Sequence, residues 1–325
     1  MKKIVLIVVV SLLMVVMIGC EKEDVTVPET QVELLNDNYF KNGFTISPAD
    51  NEPQPENRYP LDYDLTYGSP DGQIMWLMAQ FGNRYGLADA YALEGKEVEF
   101  TGGNYIIEDH SKKVTVNPLT GRLTFEVNTS LEFDDPRKDK EGWPHLIIQQ
   151  GLSRQITLQE VDSIMLTIDI TMDKYINHMT EAEFNPNLHT AQYLMYIVVR
   201  SSAAMDAGEF LWFGIPFFDA RYKFLPESGQ IDAGTAGNTG KFIYQMPQDV
   251  YMPDGLPLNQ EVNINIDLVP YFQRALNLAH VEGLMLNTEI TDLYLTNMNI
   301  GFEIPGTYDI AITIENFSLM AMLKS

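Results

Sequence analysis

Residues 262–268 alternate without a break, with Val262, Ile264, Ile266 and Leu268 apolar and Asn263, Asn265 and Asp267 polar. Successive side chains of an extended strand point to opposite faces, so this pattern predicts a strand with one face in a core. Across 164–172 every even position is apolar, and the odd ones are polar apart from Met165. Tyr308, Ile310, Ile312 and Ile314 alternate with Asp309, Ala311, Thr313 and Glu315. Residues 123–127 read the same way, and 105–108 with 113–116 form a hairpin around Asp109-His110-Ser111. Residues 191–199 and 210–217 are more continuously apolar, as central strands are.

One segment departs from this period. Pro270 suits the first turn of a helix, Val269, Phe272, Leu276 and Ala279 share a helical face, and Gly283 suits the C-terminal cap. This predicts one main helix near 269–282. Residues 73–81 fit either a helix or a strand. Many short strands with one helix predict a mainly β, two-sheet antiparallel β-sandwich, jelly-roll or concanavalin-like. An immunoglobulin-like sandwich needs only about 100 residues, too few for this chain. The run 293–319, with its turn at 301–309, resembles the closing hairpin of such sandwiches.

The N-terminus carries a different signal. Lys2 and Lys3 precede an apolar run, 4–18, broken only by Ser11. It is shorter than the roughly 20 residues of a membrane span and has the length of a secretory h-region. It ends in Met17-Ile18-Gly19-Cys20, which resembles the lipobox of bacterial lipoproteins. That resemblance implies a signal peptide over 1–19 and lipidation of Cys20. The following Lys22-Glu23-Asp24 resembles the surface-export signal of Bacteroidota lipoproteins. It implies an outer-membrane protein, lipid-anchored and exposed at the cell surface. Cys20 is the sole cysteine, which excludes an intrachain disulfide and a cysteine-based zinc site. Residues 20–60 are acidic and punctuated by Pro28, Pro48, Pro53, Pro55 and Pro60, the pattern of a tether, within which Leu34-Leu35 and Tyr39-Phe40 can form a small docked element. One large domain is then expected over 61–325.

The formal charge is −24, from 45 acidic and 21 basic residues. Such a chain repels nucleic acid and polyanionic glycans at long range, so neutral ligands are expected. Contact with a membrane is expected through the lipid anchor alone.

Four segments concentrate aromatic, amide and charged groups. Trp143-Pro144-His145 opens one strand. His189 to Tyr193, with Gln192, opens another that closes in Arg200. Residues 209–222 run from an aromatic strand with Trp212 into Asp219, Arg221 and Tyr222. Residues 232–241 form a Gly-rich loop without the Gly-Lys-Ser/Thr ending of a phosphate loop. Sugars need an aromatic ring against their C–H face and planar polar groups for their hydroxyls. Trp143, Trp212 and Tyr222 can supply the first, and His145, His189, Gln192, Asp219 and Arg221 the second. Trp212 can equally be core, and Asp219 with Arg221 can equally be a structural ion pair.

The ligand expected from these residues is a poly- or oligosaccharide, captured rather than cut. A glycoside hydrolase or polysaccharide lyase on the same scaffold is the alternative, and an adhesion lipoprotein binding a protein is the third. Glu209, Asp219, Glu303 and Asp309 are candidate hydrolase acids, but no spacing pairs them on a strand face. His189, Gln192, Arg200 and Tyr222 are the residue types of a lyase. The five scattered histidines give no metal motif. No cofactor is expected, and a structural calcium held by Asp and carbonyl oxygens would leave no spacing signal.

Overall fold

The computed structural model describes residues 30–50, 58–67, 72–233 and 239–324. The leader, Cys20, Lys22-Glu23-Asp24 and residues 234–238 of the Gly-rich loop lie outside the described residues. No described helix is long and apolar enough to cross a membrane.

The chain begins with short strands: β1 (Gln31–Glu33), β2 (Phe44–Ile46), β3 (Tyr63–Leu65) and β4 (Trp76–Ala79). After helix α1 (Leu87–Ala92) come β5 (Glu99–Thr101), β6 (Asn104–Glu108), β7 (Lys112–Asn117) and β8 (Arg122–Asn128). Four long strands follow: β9 (His145–Thr157), β10 (Val161–Asn177), β11 (Gln192–Ser201) and β12 (Phe210–Asp219). Then come β13 (Ser228–Ile231), β14 (Phe242–Gln245), β15 (Glu261–Asp267), α2 (Val269–Val281), β16 (Leu293–Glu303) and β17 (Tyr308–Leu323).

Two sheets result. The eight-stranded sheet runs β15-β10-β17-β8-β7-β6-β5, with β1 also on β17. The nine-stranded sheet runs β13-β14-β12-β11-β16-β9-β4-β2-β3. Their inner faces make one core, and the fold is the expected mainly β, two-sheet sandwich. Pairing is antiparallel except for β12 with β14 and β2 with β4. The predicted alternation becomes the inner face: Ile164, Leu166, Ile168 and Ile170 of β10 are buried, and so are Tyr193, Met195, Ile197 and Val199 of β11. Each such side chain contributes about 1.5–3 kcal/mol relative to leaving it in water. Helix α2 starts with Pro270 in its first turn and buries Phe272, Ala275, Leu276 and Ala279. Phe272 packs on Phe213 of β12, ring centroids 4.3 Å apart, so the helix braces the nine-stranded sheet.

Two expectations are corrected and one open reading is decided. The stretch 20–60 is not a tether throughout: β1 and β2 belong to the sheets, and Leu34, Leu35, Phe40, Phe44 and Ile46 are buried. These apolar residues cannot stay in water beside an open core, so the sandwich starts near Gln31 rather than 61. The C-terminal run is not a hairpin. β16 lies in the nine-stranded sheet and β17 in the other, so the turn between them is a crossover. The ambiguous 73–81 contains strand β4, because Trp76 and Met78 alternate into the core.

Lys112 of β7 is an unusual core residue, with none of its side chain exposed. Its Nζ lies 2.8 Å from Asp109 Oδ2 and 3.5 Å from Glu132 Oε1, and donates to Tyr85 O at 2.6 Å.

Candidate functional site

The outward positions of the nine-stranded sheet are not the usual mixture of Thr, Lys and Glu. Register alone brings six of them into one line across the strands: Leu77 of β4, Gln149 of β9, Asn299 of β16, Tyr196 of β11, Gly214 of β12 and Gln245 of β14. With strands about 4.8 Å apart, five steps make a row of roughly 24 Å. The side chains of Gln149 and Asn299 are half-buried and make no hydrogen bond among the described residues, so both amides are available.

Tyr196 leans over Gly214. A Cβ at 214 would lie 2.8 Å from the Tyr196 ring and 2.3 Å from Gln245 Oε1, so a glycine makes this packing possible. Gln245 Nε2 donates to the Tyr196 hydroxyl at 2.6 Å. Burial, with Glu303 and Asp232 nearby, pushes the Tyr196 phenol well above its usual range, so it stays a neutral hydroxyl. Beside it stands Trp212, ring centroids 6.0 Å apart and nearly edge-on. Trp212 is half-buried on the outer face, and its Nε1–H donates to Thr239 Oγ1 at 3.3 Å. It is therefore not a core residue.

Two rungs from the amide row lies a charged one, in which Glu303 of β16 pairs with Gln192 of β11 on one side and His145 of β9 on the other. The rung also holds Asp219 of β12, paired with Gln192 on its far side and buried, whereas 26% of the Glu303 side chain is exposed. His145 Nδ1 faces the carbonyls of Trp143 (2.9 Å) and Phe81 (3.2 Å), so this nitrogen carries the proton. Its Nε2 lies 3.7 Å from Glu303 Oε2. Burial lowers the His145 pKa, but Glu303 and the two carbonyls outweigh it and hold it above 6.5. Burial likewise raises Glu303, but His145, helped by the Trp143 indole N–H, outweighs it and the carboxyl sits below 4.5. Trp143 flanks the pair: its ring stacks on His145 at 5.7 Å under the Arg137 guanidinium at 4.7 Å. Its buried indole N–H lies near enough to the Glu303 carboxylate to help hold it ionised, and makes no other hydrogen bond among the described residues.

The signs of these shifts set a pH window. The stabilisation from His145 is complete below the unfolded value near 6.5 and is lost as pH rises through its raised folded pKa. That from Glu303 is complete above about 4.5 and is lost as pH falls through its lowered one. An NMR titration should therefore give His145 a midpoint above 6.5, and a lower one in Glu303→Gln. An unchanged midpoint in the variant would show that the carboxylate is not the cause.

The other expected site residues do not join the amide row. Asp219 is buried at the far end of β12 from Trp212 and is consumed by structure. It pairs with Arg221 at 2.6 Å and accepts from Thr190 Oγ1 (2.8 Å) and Gln192 Nε2 (2.7 Å). Arg221 outweighs the effect of burial and holds the Asp219 pKa below its usual value. The structural ion pair is thus the reading that holds, and Gln192 is engaged with it. Tyr222 is 48% exposed, with Arg221 over its ring. His189 is corrected from a ligand contact to a buried pin: one ring nitrogen contacts Arg137 O at 2.8 Å, and the other accepts from Asn185 N–H at 3.1 Å. With both nitrogens spent, the proposed lyase set around His189 is not assembled. Among the described residues no three His, Cys, Asp or Glu side chains converge as metal ligands.

No family model matches the sequence, and no curated protein matches it. Among solved structures, the chain is similar to the endoglucanase Cel12A from Rhodothermus marinus, with 13% identity and a TM-score of 0.37 over 69% of this chain and 93% of that one. A family 12 xyloglucanase from Bacillus licheniformis gives 13% and 0.36 over 69% and 95%. A family 11 xylanase from Neocallimastix patriciarum gives 9% and 0.33 over 69% and 94%. At these identities and TM-scores the likenesses assign neither a residue nor an activity to this chain.

Proposed function

We propose that this protein handles a neutral polysaccharide on the outer face of its nine-stranded sheet. The observation that carries the proposal is the row Gln149–Asn299–Tyr196–Gln245 with Trp212 beside it. Planar amides and a neutral phenol match hydroxyls, and the indole matches a C–H face. The charge of −24 supports a ligand without negative charge. Affinity-gel electrophoresis on neutral polysaccharides should retard the wild type. Asn299→Ala, at a solvent-facing position, should fold normally and lose about tenfold in retention, the effect of one or two hydrogen bonds. A folded wild type that runs free on every neutral polysaccharide would remove the proposal.

Cleavage is a second reading, supported by one spot on the same face. Hydrolysis needs two carboxylates about 5–10 Å apart. Glu303, held ionised by His145, suits a nucleophile or base, and the charge of Asp232 from the neighbouring loop is felt at both Glu303 and Tyr196. Release of shortened products by the wild type and not by Glu303→Gln supports cleavage, whereas retention without products leaves capture.

The N-terminal motif supports a further part of the proposal, that Cys20 is lipidated and the domain is displayed at the cell surface. Cys20→Ser should shift the protein from the membrane to the soluble fraction. Wild-type protein untouched by protease on intact cells would contradict the outward display.

A further inference from the structure

A depression of about 330 Å³ opens on the same face, lined by Met75, Leu77, Gln149, Gln150, Gly151 and Asn297. None of these six side chains is ionisable. Met75 and Leu77 give one apolar wall. Opposite them Gln149 is free of partners among the described residues, and Asn297 spends only its Oδ1, on Thr296, leaving its amide donors free. The floor is fixed. Gln150 turns inward, accepts from Asn36 N–H at 2.7 Å and donates to Asn36 O at 3.1 Å. Gly151 keeps the space open, since a Cβ there would meet no atom within 4 Å.

An apolar wall facing two free carboxamides is the chemistry that seats one uncharged sugar ring. Asn297 lies in the same rung as Trp212, with Val198 between them and Gly151 beyond. Gly151 on β9 is three strand steps from Trp212 on β12, roughly 14 Å. One ring cannot touch both places.

We infer that this depression is a second sugar subsite, and that the ligand is an uncharged glycan held along its length, crossing the strands from Trp212 to Gln149. This rests on the proposed polysaccharide function and adds the direction and minimum span of the chain. The row continues to the sheet edge through Thr45 of β2 and Asp64 of β3, in line with an extended ligand.

The test is calorimetry with neutral oligosaccharides of graded length, prepared from whichever glucan, xylan, mannan or galactan the wild type retains. Affinity should climb with length until the oligomer spans both places and then level off. The double variant Met75→Ala/Asn297→Ala should lose about tenfold or more on the long oligomers and nothing on the shortest, which reach Trp212 alone. Thermal melts matching the wild type would exclude misfolding, and Asn297→Ala alone serves if the double variant melts early. Affinity independent of length, or a double variant that binds long oligomers normally, overturns the inference while leaving the polysaccharide function standing. No binding of any polysaccharide by folded wild type overturns both.

Discussion

Replacing Lys112 by alanine should cost about 3–5 kcal/mol of folding free energy, a large part of the 5–15 kcal/mol typical of a domain. The ammonium is surrounded by Asp109, Glu132, the Ser111 hydroxyl and the Tyr85 carbonyl, with 4% and 1% of the two carboxylate side chains exposed. Neither carboxylate is free to leave. Asp109 Oδ1 accepts the backbone N–H groups of Ser111 and Lys112 at 2.8 and 2.7 Å, which shapes the turn from β6 into β7. Glu132 accepts from Arg84 N–H at 2.5 Å and from the Ser111 hydroxyl, tying the loop before α1 to the end of β8. Without the cation, two acids remain in low dielectric with no counter-charge beside them. Lys112→Met restores volume but not charge and should cost nearly as much. Lys113→Ala is the control, because its contact with Glu108 is 4.0 Å long and exposed, and such pairs contribute about 0–1 kcal/mol. Urea unfolding of the three variants should shift the midpoint for Lys112 alone at unchanged slope. A loss at Lys112 no larger than at Lys113 would mean that the buried cluster relaxes without its cation.

The alternation in β10, β15 and β17 was readable because each strand is long enough to repeat its period and has one wet face. Helix α2 was readable because Pro270 and a 3.6-residue apolar spacing interrupt that period. β1, β2 and β3 are three residues each, too short for any period to show, and prolines around them mimic a tether. Their place in the sheets is decided by burying Leu34, Phe40 and Phe44, a tertiary effect with no local signature. The candidate site was hidden for a related reason. Gln149, Tyr196 and Asn299 each look like an ordinary outward position, and only the register of β9, β11 and β16 puts them in line. The signal that was present is chemical: amides, rather than Thr or Lys, occupy the outward positions of central strands. Reading by segment instead favoured 209–222, in which Trp212 and Asp219 are seven residues apart. At about 3.3 Å per residue, Trp212 and Asp219 are then roughly 23 Å apart along β12. Asp219 serves the fold there, while Trp212 stands beside the row.

Two tryptophans in this chain should respond to alanine in opposite ways. Trp76 is 1% exposed, packs on Phe40 at 5.3 Å and Phe317 at 6.5 Å, and donates its N–H to Asp37 O at 2.9 Å. Trp76→Ala leaves a cavity between the sheets and an unpaired carbonyl, and should cost about 3–5 kcal/mol. Trp212 has its ring on the outer face, with Phe210 at 5.6 Å and Tyr196 at 6.0 Å as edge-on neighbours. Its removal opens no internal cavity, so the expected cost to folding is about 1–2 kcal/mol, the loss of partial burial and two aromatic contacts. Its cost to ligand retention should be larger, about 2 kcal/mol or roughly thirtyfold, as for a tryptophan anchor at an interface. Thermal melts run beside affinity electrophoresis separate the two quantities for each variant. Trp212→Ala that melts as early as Trp76→Ala would return Trp212 to the core. Trp212→Ala that melts normally and still holds the polysaccharide would take the ligand off that end of the row. The contrast between the variants is the sharper observable, because both lose the same side chain and differ only in which side of one sheet it stood on.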